Sequence, residues 1–132
     1  MKAAYVDTSC LVAIAFGEPG AARLRRSLLL YDELFSSNLL EAELRSALHR
    51  EKVAADPRDL ISGISWVFPD RALTAEITLI LDAGYVRGAD LWHLAVALFV
   101  DPTREIDFLS LDVRQLEMSR RAGFGGRGAL RS

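Results

Sequence analysis

The stretch AAYVDTSCL, residues 3–11, interrupts an apolar run with a carboxylate and marks the point where one buried element ends and another begins. Residues 2–6 have the apolar character of a short buried strand. Residues 8–16 then predict a helix, and Asp7, Thr8 or Ser9 could cap its N-terminus. Capping alone would account for Asp7, but a role in a functional site explains an acid between two buried segments equally well.

Short apolar strands alternate with helices along the rest of the chain. Further strands are predicted over residues 34–36, 66–68 and 106–111, and they are apolar on both faces. This pattern favours an α/β fold in which helices cover a parallel sheet. In such folds the active crevice lies at the carboxyl ends of the strands, where Asp7 and Asp112 both fall. The predicted helices cover residues 8–16, 21–31, 38–53, a segment beginning at Pro57 with Asp56 as its cap, 73–86, 90–100 and 113–122.

The size and composition of the chain limit its class. The chain has 132 residues, 51% of them hydrophobic, and we expect one domain over residues 1–124 and a loose tail at 125–132. A small chain this apolar is expected to turn some apolar side chains towards another subunit or a partner. The net charge of −2 gives no global positive field for nucleic acid.

The compartment is predicted from cysteine use and from the distribution of apolar residues. Cys10 is the single cysteine, which excludes an internal disulfide. No apolar run is long enough for a bilayer, and Asp7 falls too early in the chain for a signal peptide. We therefore expect a cytoplasmic protein.

Two local patches of arginine stand out against the negative net charge. Guanidinium groups match the geometry of phosphate, so these patches could guide an anionic backbone. Ordinary solvated helix faces explain them at least as well. The patches consist of Arg23, Arg25 and Arg26 in one segment and of Arg114, Arg120 and Arg121 near the C-terminus.

Glu43 is harder to attribute to local structure because it falls on or beside an apolar stripe. On the helix predicted over residues 38–53, Leu40, Leu44, Ala47 and Leu48 share one face, and Glu43 lies three or four residues from several of them. A buried carboxylate is costly unless a cation or a metal pairs with it. Two interpretations stay open: a buried salt bridge, for example to an arginine, or a metal ligand.

Asp90 and Asp112 are two further acids at element boundaries, and each could be a simple N-cap. Together with Asp7 and Glu43 they would form a cluster of carboxylates that repel one another at neutral pH. A divalent cation would remove that conflict, and an oxygen-rich site suits Mg²⁺ or Mn²⁺ rather than zinc. His93, one helical turn after Asp90, is expected to pack or to orient a neighbouring group rather than to bind metal.

Four segments, in this order, resemble the motifs of PIN-domain ribonucleases: YVDTS at residues 5–9, SNLLEAEL at 37–44, ADLWHLAVAL at 89–98 and FLSLDVRQL at 108–116. Their spacing and the chain length are similar to those of VapC toxins from bacterial toxin–antitoxin pairs. The resemblance extends from residue 3 to about residue 124. Ser110 stands where the fourth motif more often has threonine. Asp112 fits that motif better than Asp107, which lies near the start of the predicted strand.

The resemblance implies a PIN-like three-layer α/β/α sandwich with a short, mostly parallel central sheet. It also implies that Asp7, Glu43, Asp90 and Asp112 form one catalytic pocket, which would hold one or two Mg²⁺ or Mn²⁺ ions and cut RNA internally. VapC proteins are usually homodimers, and a cognate VapB-like antitoxin blocks the pocket. The side chains expected to orient the four acids are those of Thr8, Ser9, Ser37, Ser110 and His93.

Two rival functions remain open on the sequence. A phospho-receiver domain also places acids at strand ends, but it needs a lysine after its last strand, and this chain has only Lys2 and Lys52. A catalytically silent PIN-like scaffold that binds a partner protein would fit the high apolar content. All four acids are present, which favours the metal-dependent endoribonuclease.

Overall fold

The computed structural model describes residues 1–125 and confirms the α/β fold class. The predicted tail at 125–132 lies outside the described residues except for its first residue. In chain order the elements are β1 (Ala3–Val6), α1 (Thr8–Ala15), α2 (Ala21–Leu28), β2 (Glu33–Ser37), α3 (Leu39–Glu51), α4 (Pro57–Ile61), β3 (Ile64–Val67), α5 (Thr74–Ala83), α6 (Gly88–Val100), β4 (Asp107–Leu109) and α7 (Val113–Arg121).

The sheet within residues 1–125 has four strands in the order β3-β2-β1-β4, and every neighbouring pair is parallel. The central strand β1 pairs with β2 through Tyr5 opposite Phe35, and with β4 through Tyr5 opposite Phe108. Parallel pairing brings the carboxyl ends of all four strands to one edge. The residues that follow β1, β2 and β4 therefore lie near one another.

Two apolar cores on opposite faces of the sheet make the fold a three-layer sandwich. Successive residues of β1 point to opposite faces. Tyr5 packs with residues of α5, α6 and α7, whereas Ala4 and Val6 pack with residues of α1, α2, α3 and α4. Both faces of the strand are fully buried, which explains why its sequence is apolar without alternation.

Several predicted boundaries shift in the structure. The helix α6 begins at Gly88, two residues earlier than predicted, and Arg87 holds its cap position. Asp90 is therefore in the first turn, and its interpretation as an N-cap is wrong. The strand β3 covers Ile64–Val67 rather than 66–68, and β4 is only three residues long.

Some large apolar side chains stay at the surface of the chain. Phe68 and Tyr85 are about two-thirds exposed or more, and Leu29 and Leu30 follow the end of α2 into solvent. In the described part of the chain, no helix has both the length and the apolar character needed to cross a bilayer.

Candidate active site

Asp7 follows β1 and caps the N-terminus of α1. Its Oδ1 accepts hydrogen bonds from the Ser9 backbone N–H at 3.1 Å and from the Ser9 hydroxyl at 2.5 Å. The side chain is buried, with 4% of the residue exposed, and no lysine or arginine among residues 1–125 forms an ion pair with it. Burial raises the pKa of the Asp7 carboxyl, although hydrogen bonds from Ser110 and Ser9 oppose the shift. Capping and a role in a site are therefore compatible at this residue.

Glu43 reaches the same region from α3. Its Oε1 accepts a hydrogen bond from the Thr8 hydroxyl at 2.7 Å and lies 2.7 Å from Nε2 of His93. Burial alone would raise the pKa of Glu43, but the hydrogen bonds from His93 and Thr8 outweigh it, and the net pKa is lowered. The partner across the fold is a histidine rather than the arginine that the sequence suggested.

His93 and Tyr5 connect Glu43 to the central strand. His93 lies on α6 and is 2% exposed, and its Nδ1 is 2.7 Å from the Tyr5 hydroxyl. That hydroxyl also accepts the Ser37 backbone N–H at 3.0 Å. Sequence reasoning missed Tyr5 because it stands in an apolar strand. The only signal in the sequence was a phenol hydroxyl in a strand whose other side chains are apolar.

Asp112 follows β4 and caps α7 in the way that Asp7 caps α1. Its Oδ1 accepts the backbone N–H groups of Arg114 at 2.9 Å and of Gln115 at 3.2 Å. Two serines connect the two caps. The Ser9 and Ser110 hydroxyls lie 3.3 Å apart, and the Ser110 hydroxyl accepts the Asp112 N–H at 3.0 Å. Asp7 and Asp112 are thus joined by a continuous hydrogen-bonded path.

Asp90 joins this group through its backbone. Gln115 is almost fully buried, and its Nε2 donates to the Asp90 carbonyl at 2.8 Å. The Asp90 carboxylate is partly exposed and lies 3.6 Å from the Arg87 guanidinium. Sequence reasoning missed Gln115, although its position three residues after Asp112 is that of the glutamine in a capping box. Its side chain reaches α6 instead of its own helix cap.

The remaining predicted orienting residue, Ser37, holds the end of β2 rather than an acid. Its hydroxyl accepts the Leu39 backbone N–H at 3.1 Å and the Trp92 indole N–H at 3.0 Å. Both bonds fix the junction between β2 and α3, and the second ties it to α6. Ser37 therefore supports the backbone from which Glu43 projects.

The arginines predicted to contact RNA differ in their surroundings. Arg23, Arg25 and Arg26 are exposed on α2, and none forms an ion pair with another described residue. On α7, Arg114 and Arg121 both pair with Glu117, at 3.3 and 2.9 Å. The α7 pairs neutralise part of the positive charge that the sequence shows there, so α2 is the stronger candidate surface for a phosphate backbone.

Whether the four acids fit a metal ion can be judged from their donor atoms. Carboxylate oxygens are the ligands that Mg²⁺ and Mn²⁺ prefer, and the buried Asp7 carboxylate forms no ion pair with a lysine or arginine in the described chain. Within residues 1–125, no three side chains of histidine, cysteine, aspartate or glutamate lie so as to hold a metal ion by themselves. The acids fit an ion only by the chemistry of their oxygens, and an ion bound there would keep several waters as ligands, as Mg²⁺ commonly does.

The order of strands and helices agrees with comparison to protein families. The family model of the PIN domain matches residues 4–120, which include the elements from β1 into α7. Comparison with curated proteins gives no match. The family match covers far more than half of the chain, and the protein therefore belongs to the PIN domain family.

Proposed function

We propose that this protein is a metal-dependent endoribonuclease that hydrolyses RNA phosphodiester bonds with Mg²⁺ or Mn²⁺. PIN domains are commonly metal-dependent nucleases, and the chain belongs to that family. The observation that carries the proposal is the buried Asp7 carboxylate, which forms no ion pair with a lysine or arginine within residues 1–125. An ionised group in such a position needs a compensating charge, and a divalent cation supplies it.

Each acid has a distinct role in the proposed site. Asp7 is the central ligand, and Ser9 fixes its Oδ1 by two hydrogen bonds. Glu43 contributes a second carboxylate, which Thr8 and His93 hold in place. When bound, a divalent cation would lower the pKa of an attacking water and stabilise charge on the phosphate oxygens.

Asp90 and Asp112 complete the proposed pocket from the starts of α6 and α7. Asp112 uses Oδ1 for capping, so its other oxygen is the one that it would offer to an ion or to a metal-bound water. Asp90 bonds to no backbone N–H in the described chain, and its carboxylate keeps only the long contact to Arg87. Arg87 is largely exposed and is free to move when a ligand arrives.

We further propose that the protein acts as a VapC-type toxin, a cytoplasmic homodimer inhibited by a VapB-like antitoxin. The four motifs, their spacing and the chain length support this role. Leu29, Leu30 and Phe68 are exposed apolar side chains, and a second subunit or an antitoxin that covered them would remove this apolar surface from water. We also propose that residues 1–124 form its single domain. Sedimentation of the purified chain tests the dimer directly.

One observation favours a second candidate, a silent PIN-like scaffold that binds a partner protein. No closed group of three metal-ligating side chains exists among residues 1–125, although a nuclease would need its acids to share an ion. The two candidates differ in one measurable property, which is metal-dependent cleavage of RNA.

The experiment is a cleavage assay on several labelled RNAs with Mg²⁺, Mn²⁺ or EDTA. We compare the wild type with Asp7→Asn and with Asp56→Asn, since Asp56 is also an N-cap but lies exposed at the start of α4. The nuclease proposal expects cutting by the wild type and Asp56→Asn, cutting slower by about 100-fold or more by Asp7→Asn, and none in EDTA. Equal cutting by all three proteins would contradict it, and metal binding without cutting would favour the scaffold.

A further inference from the structure

A hydrogen-bonded chain of three side chains crosses the molecule beneath the acids. It begins at Tyr5 in the central strand, passes through His93 on α6 and ends at Glu43 on α3. Its two links are both 2.7 Å long, and Tyr5 and His93 are buried. The chain therefore connects the two helical layers through one imidazole ring.

Counting protons gives the chain a direction. The Glu43 carboxylate can only accept, so the proton of the 2.7 Å contact belongs to Nε2 of His93. The Tyr5 oxygen already accepts the Ser37 N–H, and its own proton is free to go to Nδ1. A tyrosine hydroxyl carries its proton at neutral pH, so that proton is present to be donated. A ring with its proton on Nε2 and a bare Nδ1 satisfies every one of these contacts.

The same contacts distinguish the two oxygens of Glu43. Oε1 accepts from Thr8 and from His93, each at 2.7 Å. Among residues 1–125, no group donates a hydrogen bond to Oε2. The protein therefore holds Glu43 by one oxygen and leaves the other available.

We propose that Tyr5 is a positioning residue for Glu43, acting through His93 so that the carboxylate presents only Oε2 to the divalent cation. This inference rests on the proposed function, since it assigns the geometry of one of its ligands. The Tyr5 ring is itself fixed, because it stacks on the Phe108 ring, with 5.5 Å between the ring centroids and an interplanar angle of 8°. A rigid phenol at the base of the chain keeps the imidazole in one tautomer and one orientation.

The hydroxyl of Tyr5, rather than its ring, is the part that the proposal requires. Tyr5→Phe keeps the stacking on Phe108 but leaves Nδ1 of His93 without its donor. The imidazole then loses the hydrogen bond that fixes its orientation, and the Nε2–H bond that holds Oε1 of Glu43 is held less rigidly. Mutation of a residue that orients a metal ligand typically weakens metal affinity by about 10- to 100-fold.

The first test is the nitrogen-15 NMR spectrum of the His93 ring in metal-free protein, assigned with His93→Gln. A bare Nδ1 and a protonated Nε2 give well-separated signals, which the proposal expects in the wild type and in the Tyr31→Phe control. Tyr31 also donates through its hydroxyl, to Asp107 at 2.7 Å, on another part of the sheet. In Tyr5→Phe we expect the Nδ1 signal to move, because Nδ1 loses its hydrogen bond, while Nε2 stays protonated by its contact with Glu43. A protonated Nδ1 in the wild type would overturn the proposal.

The second test is the dissociation constant for Mn²⁺ by calorimetry, with folding of each variant checked by thermal melting. We expect Tyr5→Phe to weaken binding about tenfold or more and Tyr31→Phe to leave it unchanged. His93→Gln retains an N–H that can reach Oε1, so it should bind more tightly than His93→Leu. Wild-type affinity in folded Tyr5→Phe would overturn the inference alone, whereas a wild type that binds no Mn²⁺ would overturn the proposed function as well.

Discussion

Asp7→Asn is expected to stabilise the metal-free protein while it removes metal binding. The asparagine Oδ1 can still accept both hydrogen bonds from Ser9, and asparagine is as good an N-cap as aspartate. The charge is removed, and the second carboxylate oxygen becomes an amide NH₂ group, which can donate to the Ser110 hydroxyl instead of accepting from it. A buried ion costs several kcal/mol, and each hydrogen bond to it returns about 1.5–3 kcal/mol. Because burial outweighs these hydrogen bonds in setting the pKa of Asp7, we expect a gain on the order of 1 kcal/mol in the free energy of unfolding at neutral pH.

The pH dependence of this gain has a definite sign. The pKa of Asp7 is raised by burial in the folded state, so the folded protein holds that proton more tightly than the unfolded chain. The wild type therefore loses stability as pH rises from the ordinary aspartate pKa through the raised one. Below the ordinary value both states are protonated, and the contribution of Asp7 to the difference between the two proteins vanishes.

Urea unfolding in EDTA, followed by circular dichroism at several pH values, measures the effect. Adding Mn²⁺ should make the wild type more stable than Asp7→Asn. A ligand at about 100 times its dissociation constant stabilises the protein that binds it by about 2.7 kcal/mol, and we expect only the wild type to bind Mn²⁺. Asp56→Asn is the matched control, since that N-cap is exposed and pairs with Arg58. If Asp7→Asn is less stable than the wild type in EDTA at neutral pH, the reasoning about an uncompensated buried charge is refuted.

Three further substitutions test other parts of the site. Thr8→Val removes a donor to Glu43, and we expect Mn²⁺ binding to weaken about tenfold by calorimetry, whereas unchanged affinity would contradict the role of Thr8. Asp112→Asn keeps an acceptor for the backbone N–H groups at the start of α7, so we expect an unchanged melting temperature. We expect the rate of RNA cleavage to fall about tenfold or more, because the carboxylate charge is lost. Cleavage at the wild-type rate would show that Asp112 serves only as an N-cap. The exposed arginines of α2 can be replaced by glutamine; they are Arg23, Arg25 and Arg26. We expect the slope of log binding constant against log salt concentration for RNA, measured by fluorescence anisotropy, to fall in magnitude by roughly 0.7 for each phosphate that the protein no longer neutralises. An unchanged slope would exclude this surface.

Local sequence signals predicted the elements whose limits depend on local chemistry. Asp56 and Pro57 mark the start of α4 as predicted, because a side-chain acceptor and a fixed φ act within one turn. The strand β1 ends at Val6, before the cap at Asp7, also as predicted. The fold class followed from short strands that are apolar on both faces.

Boundaries set by tertiary pairing were harder to predict. The strand β3 begins at Ile64 because that residue pairs with Leu34, a partner 30 positions away that periodicity does not show. The helix α2 ends at Leu28, three residues earlier than predicted, and Leu29 and Leu30 are exposed instead of continuing its buried face. Apolar composition alone suggested a longer helix.

In the candidate site too, local sequence predicted some features, whereas contacts between distant residues could not be predicted. Helical periodicity predicted Glu43 at the edge of a buried stripe, and the ends of β1 and β4 predicted Asp7 and Asp112 at one edge of the sheet, where Ser9 and Ser110 lie 3.3 Å apart. Both predictions depend on spacing along the chain. The partner of Glu43 is His93, 50 residues later, and no local pattern identifies such a pair. Tyr5 was missed for the same reason, because its hydroxyl acts on residues of two distant elements.

The most direct test of the account is the rate of RNA cleavage as Mn²⁺ is titrated into wild type, Asp7→Asn and Asp56→Asn. The account predicts that the wild type and Asp56→Asn start from no activity in EDTA and saturate with Mn²⁺. It predicts that Asp7→Asn stays slower by about 100-fold or more at every concentration, since several kcal/mol of charge stabilisation is absent. Cleavage that persists in EDTA, or that Asp7→Asn retains in full, would contradict it.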